Sequence, residues 1–316
     1  MQLPDSAKQP TMYFIGVTTT KSSIMKLFPL WAKELGLKDA VLKGIDIKIH
    51  DEDQIYREVV DFIKNDPHSK GALVTTHKID LYNATKKDFD YLDPYAEMLD
   101  EISSISKSAD GSELRGHAKD PITSGLALEA FVPDNYWEKG GEVFLMGAGG
   151  STLAISSYLT DKKHGDHIPE KIIISNRSEQ RLISAEKLLS KLDTATKFEF
   201  HHAPHSEDND KILKNLPPHS LVVNATGLGK DRPGSPLTDK GLFPSDSLVW
   251  ELNYRGELDF MHQAIAQKES RSLHVEDGWI YFIHGWTQVI GEVFDVDIDS
   301  HINQLEQIAA EFQKRN

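Results

Sequence analysis

Three closely spaced glycines follow a short apolar strand in the run Val143-Phe-Leu-Met-Gly-Ala-Gly-Gly-Ser-Thr-Leu-Ala154. Glycine lets the chain turn tightly and brings backbone close to a ligand, and a helix that starts here offers unpaired N–H groups to a phosphate. Gly147, Ala148, Gly149, Gly150 and Ser151 are therefore candidate phosphate-binding residues. One strand–helix–strand later, Lys171-Ile-Ile-Ile-Ser175 ends at Asn176-Arg177-Ser178. In a nucleotide-binding βαβ unit the adenosine ribose lies at that strand end. An acidic residue there would favour a free 2′-hydroxyl, whereas an arginine favours a 2′-phosphate, which it grips bidentately. The pattern predicts NADP(H) rather than NAD(H), held by Asn176, Arg177 and Ser178. Arg181, one helical turn on, either adds a second charge or is a solvated helix residue. The spacing is Gly147-x-Gly149-Gly150, short of a full G-x-G-x-x-G, so the flanking strand and helix and Arg177 carry the reading.

These residues need a scaffold, and the hydrophobic pattern supplies one. Strands are predicted at 12–17, 41–49 (with Ile45 and Ile47 as its core) and 72–75, with helices at 23–35 and 52–64 between them. A helical stretch at 123–131 leads into a second alternation. Its strands are 143–146, 171–175, 197–201, 220–223 and 247–251, and its helices 151–160, 179–191 and 207–214. After Asp277-Gly278 the chain turns helical and aromatic, at 279–295 and 300–314. Alternating strands and helices predict an α/β protein with a mainly parallel sheet in a first domain and a doubly wound Rossmann-type sheet in a second. The expected boundaries are 1–123 plus 276–316 for the first domain and 124–275 for the second.

Composition narrows the function. The 316 residues carry a net charge of −14, which argues against nucleic acid or an anionic membrane as partner. No cysteine is present, which excludes disulfides, thiolate zinc sites and a cysteine nucleophile, and fits a cytoplasmic protein. Met1–Gln9 is polar and lacks the apolar core of a signal peptide. The uncharged stretch Val143–Leu159 is short for a membrane span and is broken by its glycines. Among the 14 histidines, His201, His202 and His205 cluster after a strand without a carboxylate arrangement suited to a metal, so no metal is expected. A homodimer is left open.

Several segments, in order, resemble the shikimate/quinate dehydrogenase family. They are Tyr13-Phe-Ile-Gly16 with Thr20-Lys21-Ser22, then Gly71-Ala-Leu-Val-Thr-Thr-His-Lys78, and Gly116-His-Ala-Lys-Asp120. The cofactor segments at 147–150 and 176–178 follow, then Asn224-Ala-Thr226, Glu251-Leu-Asn-Tyr254 and Asp277-Gly278. The resemblance implies reversible hydride transfer between nicotinamide and a ring hydroxyl, with C-terminal helices returning to the first domain. It makes Lys78 and Asp120 the catalytic pair, because oxidising an alcohol requires its proton to leave and reduction requires one to arrive. It assigns Thr20 and Ser22 to the substrate carboxylate, although Ser22 or Ser23 also suits a helix cap. Thr75, Ser104, Tyr254 and His284 become substrate-side residues. Asn224, Ala225, Thr226, Gly227 and Gly278 would line the nicotinamide side. Tyr254 could equally be a half-buried strand-end tyrosine, and Thr226-Gly227 a plain turn.

The departures from the family pattern are concentrated on the substrate side. Ser104 stands for an asparagine, Leu73 for another, His77 for a proline, Ala118 and Lys119 for asparagine and threonine, and His284 for a glutamine. A site built to hydrogen-bond a hydroxyl discriminates strongly, so changed donors should change the ligand. Lys119 would either add positive charge to the site or point to solvent. The expectation is an NADP(H)-dependent dehydrogenase for shikimate or a related hydroxylated ring carboxylate. Quinate or an aminoshikimate is an alternative substrate, and a catalytically silent sensor of the same fold an alternative class.

Overall fold

The computed structural model describes residues 3–230 and 232–315, with Arg315 described by its backbone alone. Met1 and Gln2 of the polar N-terminal stretch lie outside the described residues. The chain divides into two compact units, one formed by Met1–Lys119 with Gly285–Asn316 and the other by Asp120–His284.

The first unit is built on a six-stranded sheet. Its strands are β1 (Thr11–Gly16), β2 (Val41–Asp46), β3 (Ser69–Val74), β4 (Tyr91–Leu92), β5 (Ser104–Lys107) and β6 (Leu114–His117), in the order β2-β1-β3-β5-β6-β4. β1 is buried along its whole length and lies parallel to both β2 and β3, which is why it reads as an unbroken apolar run. β5 pairs antiparallel with β3 and β6, and β4 runs parallel to β6. Helices α1 (Ile24–Glu34), α2 (Asp53–Asn65), α3 (Lys78–Thr85) and α4 (Pro94–Leu99) complete the first part of the chain. Tyr56, Val59, Val60 and Ile63 of α2 pack with Tyr13, Ile15, Ile45 and Ile47 in one core.

The second unit holds β7 (Val143–Met146), β8 (Lys171–Asn176), β9 (Lys197–His202), β10 (Leu221–Asn224), β11 (Leu248–Glu251) and β12 (His274–Glu276). All five pairings are parallel, in the order β12-β11-β10-β7-β8-β9. That is the doubly wound order, with the chain reversing direction across the sheet between β7 and β10. Helices α5 (Asp120–Glu129), α6 (Gly150–Leu159), α7 (Glu179–Leu189), α8 (Ser206–Lys214) and α9 (Asp259–Arg271) connect the strands. The central strands β7, β10 and β11 are wholly buried, whereas the edge strand β9 alternates between exposed and half-buried residues.

Helix α10 (Trp279–Phe294) runs from the second unit into the first, and α11 (Ile302–Arg315) follows it. The C-terminal helices pack back on the first unit as expected. Trp286 meets Phe14 edge to face at 4.8 Å, and Trp31 Nε1 donates to the Leu305 carbonyl at 2.9 Å. Among the described residues no helix is long and apolar enough to cross a membrane, and Val143–Leu159 divides into β7, the glycine turn and α6.

Candidate functional site

In the second unit the sequence-predicted cofactor residues gather at the C-terminal ends of three adjacent parallel strands. The Gly147 N–H donates to the Ser175 carbonyl of β8 at 2.8 Å, and the Ala225 N–H donates to the Met146 carbonyl of β7 at 2.8 Å. Gly147 has φ +116°, and a Cβ there would sit 2.5 Å from the Ala225 carbonyl oxygen, so only glycine fits this crossing. Thr152 Oγ1 donates to the Gly147 carbonyl at 2.8 Å and pins the turn. Gly149 is the N-cap of α6; no side chain caps it, and a Cβ at Gly149 would meet nothing within 4 Å. The first turn of α6 therefore has no side-chain cap and begins beside clear space at Gly149, which is the arrangement that suits a phosphate. At the end of β8, Asn176 Oδ1 accepts from the Ser178 N–H at 2.8 Å, and Ser178 caps α7 by accepting from the Arg181 N–H at 3.4 Å. Arg177 and Arg181 are both exposed.

The loop after β10 is held by a buried carboxyl. Asn224 Oδ1 accepts from the Thr226 N–H at 3.1 Å and from its hydroxyl at 2.7 Å, and Thr226 Oγ1 accepts from the Leu228 N–H at 3.1 Å. On its other side Asn224 Nδ2 donates to Glu251 Oε2 at 2.7 Å, while Asn253 donates to Glu251 Oε1 from its backbone at 2.8 Å and from Nδ2 at 2.6 Å. Burial pushes the Glu251 carboxyl up to about 7, opposed by these amide donors and reinforced by the neighbouring Asp277. Gly278 packs against the same segment: its N–H donates to the Asn253 carbonyl at 3.1 Å, and a Cβ would lie 2.0 Å from the Leu252 carbonyl oxygen. Its glycine is thus explained by backbone packing. Tyr254 packs at a tilt against Phe282 at 4.5 Å and Trp279 at 5.5 Å, with the Lys230 ammonium 5.7 Å from its ring centre. His284 is buried, which lowers its imidazole pKa. Asp120 is buried at the first turn of α5.

In the first unit the candidates converge on the C-terminal ends of β1 and β3. The Thr75 N–H and hydroxyl both donate to the Ile15 carbonyl, at 3.0 and 3.2 Å, and the Lys78 N–H donates to the Thr75 carbonyl at 3.2 Å. Lys78 opens α3, and its carbonyl accepts from the Ile102 N–H at 3.2 Å, just before β5. Thr20 is exposed in a single 3-10 turn, Thr19–Lys21. Asp46 anchors that turn by accepting from the Thr19 N–H at 2.8 Å and hydroxyl at 2.6 Å. Ser22 is half-buried. Ser23, at the N-cap of α1, makes no side-chain capping bond, so the capping alternative is not realised there.

The altered motif positions are now explicable. Leu73 and Ser104 lie opposite each other across β3 and β5, both buried, and the Ser104 hydroxyl has no hydrogen-bond partner among the described residues. His77 is fully buried with Nδ1 3.3 Å from the Tyr56 hydroxyl, and burial lowers its pKa, so it packs as a neutral ring. Lys119 follows neither expectation. Its ammonium pairs with Glu292 Oε2 at 2.6 Å, and its backbone N–H donates to Ser103 Oγ at 2.7 Å. Glu292 Oε1 also meets His117 Nε2 at 3.1 Å and accepts from the Ser106 hydroxyl at 3.2 Å, and His117 and Lys119 hold its carboxyl well below the usual range. The extra cation is neutralised within the first unit.

No family model matches the chain. A search of curated proteins finds shikimate dehydrogenase (NADP(+)) of Lactococcus lactis subsp. cremoris, 27% identical over 184 residues, 57% of this chain and 60% of the relative. The chain thus spans 60% of the length of this curated relative. Among solved structures, shikimate dehydrogenase from Aquifex aeolicus superposes with a TM-score of 0.72 at 17% identity, covering 97% of this chain and 98% of the other. The fold is that of the shikimate dehydrogenases. A third example is the Thermus thermophilus shikimate 5-dehydrogenase, solved in complex with NADP(H) and shikimate, with a TM-score of 0.68, 19% identity and coverage of 96% and 99%. The solved structures thus show this fold over 96–97% of the chain.

Two groups of residues were passed over by sequence reasoning. Glu251 entered only as the start of a matched segment, yet it organises the loop at 224–228. A carboxylate ending the otherwise apolar run Leu248-Val-Trp-Glu251 was the available signal. His117 and Glu292 gave none, because their partnership spans α10 and β6.

Proposed function

We propose that the chain is an NADP(H)-dependent oxidoreductase that interconverts shikimate, or a closely related hydroxylated ring carboxylate, with its 3-dehydro ketone. The reading is carried by one observation: the uncapped start of α6 at Gly149–Gly150, with the exposed Arg177 at the end of the next strand, in a fold shared with shikimate dehydrogenases. The α6 N–H groups would hold the pyrophosphate, and Arg177 would grip the 2′-phosphate. The NADP(+) in the name of the Lactococcus relative supports the same cofactor. When bound, the nicotinamide supplies or accepts the hydride. In this reading Lys78 and Asp120 take the hydroxyl proton as the alcohol is oxidised and return it on reduction. Thr20 and Ser22 bind the ring carboxylate, and Thr226 and Gly227 present the loop that faces the nicotinamide.

The substrate side favours a changed ring acid. The apolar Leu73 and the buried Ser104 stand where the family pattern has amides, so fewer donors reach the ring hydroxyls. The deciding experiment follows absorbance of reduced nicotinamide with purified protein, NADP⁺ and, in parallel, shikimate, quinate and an aminoshikimate, then repeats the series with NAD⁺. Reduction with one acid and NADP⁺ is expected. Binding of NADP(H) by calorimetry with no turnover of any of the three would replace the dehydrogenase by a sensor or by an enzyme for another substrate.

A further inference from the structure

We propose that Glu251 is a positioning residue: held as a carboxylate, it sets the Asn224–Leu228 loop in the shape that receives the nicotinamide end of the dinucleotide. The inference rests on the dinucleotide reading of the second unit. The geometry leaves little freedom. Asn224 cannot flip its amide, because its oxygen faces the fixed Thr226 N–H at 3.1 Å and its nitrogen faces the fixed Leu228 carbonyl at 3.2 Å. Asn253 Nδ2 is fixed in the same way by the Leu228 carbonyl at 3.0 Å. Three N–H donors therefore converge on the two oxygens of Glu251, at 2.7, 2.8 and 2.6 Å. Protonation of Oε2, which accepts a single one of the three, would leave a neutral and weaker acceptor for these donors. The ionised form thus holds the loop conformation most firmly.

Burial opposes that form. The charged neighbour acting on Glu251 is Asp277, a carboxyl itself pushed up by burial and by Glu276, and the donors on Glu251 are neutral amides. Burial raises the carboxyl to about 7, and the hold on the loop is expected to weaken as it protonates. Glutamine at this position should loosen the loop at every pH, since its amide NH₂ cannot accept and one of the three donors loses its partner.

The test is calorimetry of NADP⁺ binding to the full chain and to Glu251→Gln, from about pH 6 to about pH 8.5, with a thermal melt of each. The expected result is affinity for the wild type that rises about tenfold relative to the variant across this range. The variant should bind weakly and carry only the ligand's own titration. A purely structural role would lower the melting temperature yet leave the affinity of the folded protein and its pH profile alike in both. Identical affinities at every pH overturn the inference. If the variant does not fold, the wild type decides: an affinity flat across the range overturns it. A wild type that binds no dinucleotide at any pH overturns the dinucleotide reading itself.

Discussion

Two glutamates, one half-buried in the first unit and one buried in the second, solve the same problem in opposite ways. Glu292 in the first unit is met by the Lys119 ammonium at 2.6 Å and the His117 ring at 3.1 Å, and its pKa falls. Glu251 in the second is met by amide N–H groups and faces another carboxyl, and its pKa rises to about 7. Cations neutralise a buried charge outright, whereas neutral donors solvate it only in part. The first arrangement keeps its carboxylate charged to well below the usual carboxylate range. The second leaves a buried carboxyl pushed up to about 7, beside the loop at 224–228. A cationic clamp suits a framework, and an amide cradle suits a site that responds.

The clamp can be broken directly. Glu292→Leu leaves Lys119 without its counter-ion and should destabilise the fold by about 2–3 kcal/mol in denaturant titration. That is below the roughly 3–5 kcal/mol of a fully buried pair, because the Glu292 side chain keeps 24% exposure. Adding Lys119→Met should recover part of the loss, and a double variant no better than the single would show that the ion pair is not the cause.

Next comes pH. Glu292 has a folded pKa below its ordinary 4.5, so its contribution is present above that value and is lost as pH falls through the depressed one. Glu251 has the opposite sign. Between about 4.5 and about 7 the folded protein holds a proton that the unfolded chain has released, so its share of stability falls as pH rises through this window. The span corresponds to roughly 3 kcal/mol. Melts of Glu251→Gln and wild type across that window should therefore converge toward alkaline pH and separate toward acid. Parallel curves would remove the titration from Glu251. Stability and dinucleotide affinity are then expected to run in opposite directions with pH.

The smallest effect tests the neighbour. Asp277→Asn removes the like charge beside Glu251 and should move the rise in dinucleotide affinity to lower pH by a fraction of a unit, with its amplitude kept. An unmoved midpoint would leave burial as the whole cause.

What sequence made legible follows the same physics. The strands β1, β7, β8, β10 and β11 were readable because a strand buried on both faces in a parallel sheet must be continuously apolar. β12 has only half-buried or exposed residues, and α9 buries only Phe260 and Ala264, so neither leaves a pattern. The hairpin β5–β6 is short and carries Ser104, Ser106 and His117 in buried positions, the reverse of an apolar signal. Helix α4 could have been found, since Asp93 caps it by accepting from the Ala96 N–H at 2.6 Å and Pro94 follows at its first position. At the site, Gly147 was legible because a backbone crossing admits one residue type. Lys119 was not: its partner lies 173 residues away, and no local rule reaches that far.

The division of the chain carries a last consequence, for the order in which the protein is made. The second unit is one continuous segment, Asp120–His284, whereas the first takes its final pieces from Gly285 onward. On the ribosome the second unit can close while the first is still missing Trp286, Glu292 and Leu305, the partners of Phe14, Lys119 and Trp31. The first 119 residues must wait through the synthesis of an entire second unit before their core is complete. Nascent chains stalled once residue 284 has left the ribosomal exit tunnel should therefore carry a protease-resistant second unit and a first unit still open to cleavage.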